Sequence, residues 1–296
     1  MPAAMTECYN SAMQAIRSID GRLVDATGAR SFWRRRIGAT AGTHEHLVDA
    51  LALAFVNRIV IEDPAAFDAI RGTPAIFVAN HQVAIESLLF AALVPGLHER
   101  ILVALAKTEH RESWLGRLAR LISSVSADTD PENLVFFDRT DAASLLAIVD
   151  GLRARLTTSD ASILVHVEGT RARAANVPVQ RMSSIWVDLA LASDAVMVPV
   201  RFTGGLPLSE VATSLDFPVG YGRQDYFIGR PIRPEEPRSL NLIERQRRVL
   251  GAINALGARA EVPGRPDSEI ADAVARCVQQ GSSTEECVLR VVVDRL

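Results

Sequence analysis

From Arg58 onward, short apolar runs of strand length alternate with stretches of helix length, and this constrains the fold more than any other feature. Ile59-Val60-Ile61, Ala75–Ala79, Ile101–Ala106, Leu134–Phe137, Ile163–Val167 and Val196–Phe202 read as strands. Between them lie Glu86–Val94, Trp114–Ile122, Ala142–Arg155 and Ser183–Ser193, each long enough for a helix. Such alternation predicts an α/β fold, a central and mostly parallel sheet flanked by helices. Asp225–Ile232 is a candidate late strand and Asn241–Ala258 a closing helix.

The two ends have a different texture. Residues 4–57 are rich in alanine with spaced polar residues, which predicts an N-terminal helical segment broken at Gly38–Thr43. From Pro266 the chain reads as a C-terminal helical hairpin turning at Gly281, and Pro234, Pro237, Pro263 and Pro266 mark soft boundaries. The expected organisation is a helical segment over 1–57, an α/β domain over 58–262 and a hairpin over 263–296.

Charge and composition remove several classes of function. A net charge of −3 gives no reason to expect nucleic acid as a bulk partner. Of the 32 basic residues only Lys107 is lysine, so arginine richness argues nothing by itself and only position does. Three cysteines and no secretory signal fit a reducing cytoplasm. Cys277 and Cys287 flank Gly281-Ser282-Ser283 almost symmetrically, which leaves open a bridge across the hairpin, although buried reduced thiols are the commoner case. No apolar stretch is long enough to span a bilayer. Phe32-Trp33-Arg34-Arg35-Arg36 offers two readings: a peripheral contact with lipid, or the more usual solvated helix face with one buried ring.

The informative junction is Ala79-Asn80-His81, where a buried strand ends and a helix resumes after Glu86. In open α/β sheets, ligands sit beyond the carboxyl ends of strands, on turns like this one. Residues five apart on one helix point about 140° away from each other, because each turns the chain about 100°. With His81 in the turn and Glu86 in the first helical turn, however, the carboxylate can fold back to a ring nitrogen. It would fix the tautomer and leave the other nitrogen to take a proton. A lone histidine at such a turn is more often structural, and Glu86 shifts that balance. His166 reads as a packed strand residue rather than a second base.

Four ordered blocks over residues 58–235 resemble the glycerophosphate acyltransferase family, which includes the lysophosphatidic acid acyltransferases. Asn80-His81-x4-Glu86 resembles the first motif, normally His-x4-Asp. Phe136-Phe137-Asp138-Arg139 looks like the second, Glu168-Gly169-Thr170-Arg171 like the third, and Val198-Pro199-Val200 like the fourth. Ile228-Gly229-Arg230-Pro231-Ile232 is similar to a late strand of the same family. The sequence departs from the pattern at Glu86 for aspartate, Asn133 for glycine and Val167 for proline.

The resemblance implies an acyltransferase moving a fatty acyl group from acyl-CoA or an acyl carrier protein to a hydroxyl of glycerol 3-phosphate or its 1-acyl derivative. His81 would be the general base and Glu86 its orienting partner. Arg139 and Arg171 would hold a phosphate, Gly169 and Thr170 would add neutral donors, and Glu168 would receive an acceptor hydroxyl or hold an arginine. Pro199 would shape the acyl-donor side. Neither a metal nor a redox cofactor is expected, because no zinc-ligand spacing or dinucleotide fingerprint occurs. The rival readings are the same chemistry on a specialised lipid or biosynthetic intermediate, and a non-catalytic module that binds a lipid phosphate. The protein is expected in the cytoplasm, peripheral to the membrane if it touches one.

Overall fold

The computed structural model describes residues 26–37, 42–123, 130–138, 140–159, 161–257 and 267–294. In chain order the elements are α1 (Ala26–Ile37), α2 (Gly42–Phe55), β1 (Val56–Ile61), α3 (Pro64–Asp68), β2 (Ala75–Ala79), α4 (Ile85–Leu93), α5 (Pro95–His98) and β3 (Ile101–Lys107). There follow α6 (Trp114–Ile122), β4 (Leu134–Phe137), α7 (Ala142–Thr158), β5 (Ala161–His166), α8 (Ile185–Ala192), β6 (Val196–Thr203) and β7 (Gln224–Ile228). The chain closes with α9 (Glu235–Arg238), α10 (Leu242–Ala255), α11 (Ser268–Val278) and α12 (Thr284–Val293).

The strands form one seven-stranded sheet in the order β1-β7-β6-β2-β5-β3-β4. Neighbours are parallel except β6 and β7, so β1 and β7 run as a pair against the other five. The mostly parallel sheet flanked by helices is therefore as the sequence predicts. β2 lies at the centre, Val78 facing Val165 of β5 on one side and Pro199 of β6 on the other. Every residue of β2 is buried, the pattern expected of a strand covered on both faces.

Alternation along the strands divides the core into two layers. Phe77, Ala79, Leu164, Val198 and Phe202 pack with α2, α4, α6 and the α11–α12 hairpin. Ile76, Val78, Ile163 and Val165 pack on the other face with α7, α8 and α10, through residues such as Leu156, Val187 and Ile253. The hairpin has the expected turn, with Gly281 at φ +95°. Ile270, Val274, Cys287, Val288 and Val292 are buried in the first layer, and α12 packs against α2.

Two expectations change at the periphery. β1 begins at Val56, ahead of the expected strand Ile59-Val60-Ile61, because Val56 and Ile59 pair with β7 and enter the core. Cys277 and Cys287 are joined in a disulfide, not held as the commoner reduced pair; the hairpin brings their Cα atoms within 5.5 Å. The helical reading of residues 4–25 lies outside the described residues, as does the third cysteine, Cys8.

The Phe32–Arg36 segment follows the solvated-face reading. Phe32 is buried, and Trp33 meets it edge to face and donates from Nε1 to Ala92 O at 2.7 Å. Arg34, Arg35 and Arg36 stay exposed, and Arg36 pairs with Glu132 at 2.6 Å. Among the described residues, no helix is long and apolar enough to cross a membrane.

Candidate active site

The site grows from the end of β2. The Asn80 amide acts as one more rung of the sheet: Nδ2 donates to Phe202 O at 2.8 Å, and Oδ1 accepts from Phe202 N at 2.7 Å. With Asn80 pinned to β6, the chain turns out of the sheet at His81. The His81 carbonyl accepts from Ala172 N at 2.7 Å, which ties this turn to the one after β5.

Glu86 lies in the first turn of α4 and folds back over the same turn. Oε1 accepts from His81 Nδ1 at 2.8 Å and from Gln82 N at 2.7 Å. Oε2 accepts from Val83 N at 3.2 Å and from Gln224 Nε2 at 2.7 Å. The carboxyl is wholly buried, and burial pushes its pKa up to about 7, against the pull of His166 and the hydrogen bonds from Gln224, Gln82 and Val83. Donation from Nδ1 fixes the His81 tautomer with Nε2 as the proton-accepting nitrogen. The added methylene of glutamate is accommodated because the carboxylate reaches past the ring to the turn and to β7.

A second histidine stands behind the first. His166 ends β5, and its ring stacks on that of His81 with centroids 3.7 Å apart and planes 18° from parallel. His166 Nδ1 donates to Asn80 O at 2.6 Å, and Ser87 Oγ donates to His166 Nε2 at 2.6 Å. Burial, reinforced by His81, pushes the His166 pKa down to about 3. Its ring is neutral.

The Glu168-Gly169-Thr170-Arg171 turn lies beside this pair. Val167 N donates to Ala79 O at 2.9 Å, a bond that proline at this position would lack. Gly169 takes φ +66°, a left-handed conformation that suits glycine, and its N–H donates to His166 O at 3.0 Å. Glu168 Oε1 accepts from Gln180 N at 3.2 Å. Thr170 is exposed, and Arg171 is half-buried.

Arg171 is not a loose cation. Its Nη1 donates to Leu215 O at 2.7 Å and forms an ion pair with Asp216 Oδ1, while Trp114 Nε1 donates to Asp216 Oδ2 at 2.8 Å. The segment around Asp216 also receives the start of α4, through Ile85 N to Asp216 O at 3.0 Å. Arg139 lies outside the described residues. The neighbouring Asp138 accepts from Thr140 N at 2.8 Å and from its hydroxyl at 2.7 Å, bonds that hold its pKa below the usual carboxylate range. Asn133, where the resemblance expects glycine, is buried, with Oδ1 accepting from Ser123 Oγ at 3.1 Å and its carbonyl accepting from Ala104 N at 2.9 Å.

His81, Ser87, His166, Glu168, Gly169, Thr170 and Arg171 all open into one cavity of about 750 Å³. Its other walls are largely apolar and include Leu105, Leu115, Leu134, Ile148, Met182 and Trp186. Lys107, Glu109, His110 and Arg181 add charged and polar groups to the lining, so the cavity joins apolar walls to polar ones. His81, Glu86 and His166 also place ligand atoms within 4.8 Å of one another. Their hydrogen bonds already use both His166 nitrogens and both Glu86 oxygens, so the trio could bind a metal only by dismantling the turn.

Sequence reasoning did not reach Gln224, Asp216, Trp114 or Ser87. Each lies far from the motifs it serves or carries no spacing signal of its own. His166 was placed in its strand but not in the site.

Comparison with known proteins supplies the remaining link. A family model described as acyltransferase matches residues 58–203. None of the curated proteins compared matches the chain. Among similar solved structures is the 1-acyl-sn-glycerophosphate (LPA) acyltransferase PlsC from Thermotoga maritima, 19% identical, with a TM-score of 0.41, over 78% of this chain and 81% of that one. The histidine–glutamate turn and the Glu-Gly-Thr-Arg turn both lie within residues 58–203, the part of the chain that matches the acyltransferase family.

Proposed function

We propose that the protein transfers a fatty acyl group from an acyl thioester to a hydroxyl of glycerol 3-phosphate or 1-acylglycerol 3-phosphate. The observation that carries this reading is the His81 Nδ1–Glu86 Oε1 contact of 2.8 Å, made by a histidine that lines the cavity. His81 Nε2 takes the proton of the acceptor hydroxyl as that oxygen attacks the thioester carbonyl. The tetrahedral adduct collapses, the C–S bond breaks, and the departing thiolate recovers a proton from His81. An ester and a free thiol result. Glu86 holds the ring and faces the imidazolium as it forms.

The apolar walls suit an acyl chain, and the polar side chains in the lining suit a charged acceptor. Arg171, braced by Asp216, offers a pre-oriented cation to a phosphate, and Arg139 is its proposed companion. Thr170 supplies a neutral donor, Gly169 lets the chain approach the ligand closely, and Glu168 receives an acceptor hydroxyl. The donor is acyl-CoA or an acyl carrier protein, and the site of action is the cytoplasm, with any membrane contact peripheral and released by high salt or alkaline wash.

The test is turnover by purified protein across a panel of acyl thioesters and acceptors, with His81→Ala beside the parent. Ester formation with a glycerol phosphate, lost in His81→Ala, is expected. Transfer only to unphosphorylated or specialised hydroxyls would move the acceptor to another class. Tight binding of lipid phosphates without turnover, unchanged in His81→Ala, would make the protein a binding module.

A further inference from the structure

His166 closes β5 with its ring in the cavity wall, and the proposed reaction gives it nothing to do. With Nδ1 donating to Asn80 O and Nε2 accepting from Ser87, both nitrogens are spent on the protein. Burial also disfavours a charge on it. The groups that face it are His81 on its flat side, Glu86 and Ser87 from α4, the Asn80 carbonyl and the Phe202 ring of β6. A ring so placed cannot serve as a second base. Nor is it only a packed strand residue, because it covers one face of His81.

We propose that His166 is a positioning residue for His81, a fixed neutral plate against which the base is held. Glu86 holds His81 by one edge and His166 holds it by one face. The edge contact alone leaves the ring able to swing about the hydrogen bond, whereas the stacked plate removes that freedom. The plate is itself fixed at both nitrogens, so it transmits the rigidity of β2 and α4 to the base. Glu86 and Ser87 are consecutive residues of one helix, about 100° apart around its axis, and each serves a different histidine. A neutral ring also offers its π face to the imidazolium that forms on His81, where a charged ring would repel it.

The inference rests on the reading of His81 as the base, and the experiment separates the two. The full chain, labelled with ¹⁵N at its six histidines, is compared with His166→Ala and His166→Phe. In the parent, His81 is expected to show a single Nδ1–H tautomer at neutral pH. In folded His166→Ala the two His81 nitrogens should average toward a mixture. With acyl-CoA and glycerol 3-phosphate, kcat should fall by about tenfold to about 10²-fold with KM within about twofold, the signature of a misaligned catalytic group. His166→Phe keeps a flat ring and should recover part of both signals. A folded His166→Ala whose His81 tautomer and kcat match the parent would overturn the proposal, as would a loss of kcat accounted for by unfolded protein alone. If the parent transfers no acyl group, the assigned reaction fails while the nitrogen spectra still decide whether the plate holds His81.

Discussion

Gln224 Nε2 donates to Glu86 Oε2 at 2.7 Å across a sequence separation of 138 residues, so the first residue of β7 braces the carboxylate that orients His81. Gln224→Met keeps most of the volume and removes this donor. The bond favours the ionised carboxyl, so without it the Glu86 pKa rises further above its already raised value of about 7. The carboxyl is then protonated over more of the neutral range. The acid limb of the kcat/KM profile should move to higher pH, which a pH series on parent and variant reads directly.

Glu86→Gln is the harsher change. Each carboxylate oxygen accepts two hydrogen bonds, so whichever side the amide nitrogen takes, it faces two donors. Turnover should fall by about 10²-fold or more. Urea unfolding should show a loss of about 1–3 kcal/mol from the unsatisfied buried donors. Glu86→Asp stays anionic but withdraws by one methylene from a set of partners fitted to glutamate. It should be active and slower than the parent.

Arg171→Ala should raise the KM for a phosphorylated acceptor with a smaller change in kcat, because a ground-state ion pair is removed. Asp216→Asn should produce a weaker version of the same effect, since Asp216 orients Arg171 and is itself held by Trp114. Steady-state kinetics on both variants check this, and equal KM values for parent and Arg171→Ala would count against a phosphate at this arginine.

Stability should decline in mild acid. His98 is buried with Nε2 3.0 Å from Ser162 Oγ, and burial pushes its pKa down to about 4, while that of His166 falls to about 3. Both folded values lie below the unfolded value of 6.5, so the unfolded chain binds more protons and stability is lost as pH falls from about 6.5 toward 4. Glu86 acts in the opposite sense between 4.5 and about 7, where the folded state holds its proton. Two histidines against one carboxyl leave a net loss. Urea melts from pH 7.5 to pH 4.5 should show it, and His98→Gln should flatten the dependence.

The sheet was legible because β2, β5 and β6 are buried on both faces and their apolar runs are continuous. The His81–Glu86 contact was legible because both groups belong to one short turn, where local geometry decides what can meet. Gln224 and Asp216 were not, since only the order of strands and the course of the loop between β6 and β7 bring them to that turn. The stack of His166 on His81 is not legible for a related reason. The residue's place on a strand was plain, but the stack with His81 depends on the register of β5 beside β2, where Ala79 faces His166. The disulfide was open because spacing permits a hairpin bridge without requiring one.

The reversal of β7 also sets an order of events in synthesis. β2, the His81 turn and α4 leave the ribosome well before Gln224, so Glu86 exists for a time without its distant donor. A nascent chain can pack the strands β2 to β5 while the sheet still lacks β6, which carries the Asn80 partner, and β7, which completes the carboxylate's shell. The His81 turn is among the first parts of the domain to be made and among the last to receive all of its hydrogen bonds.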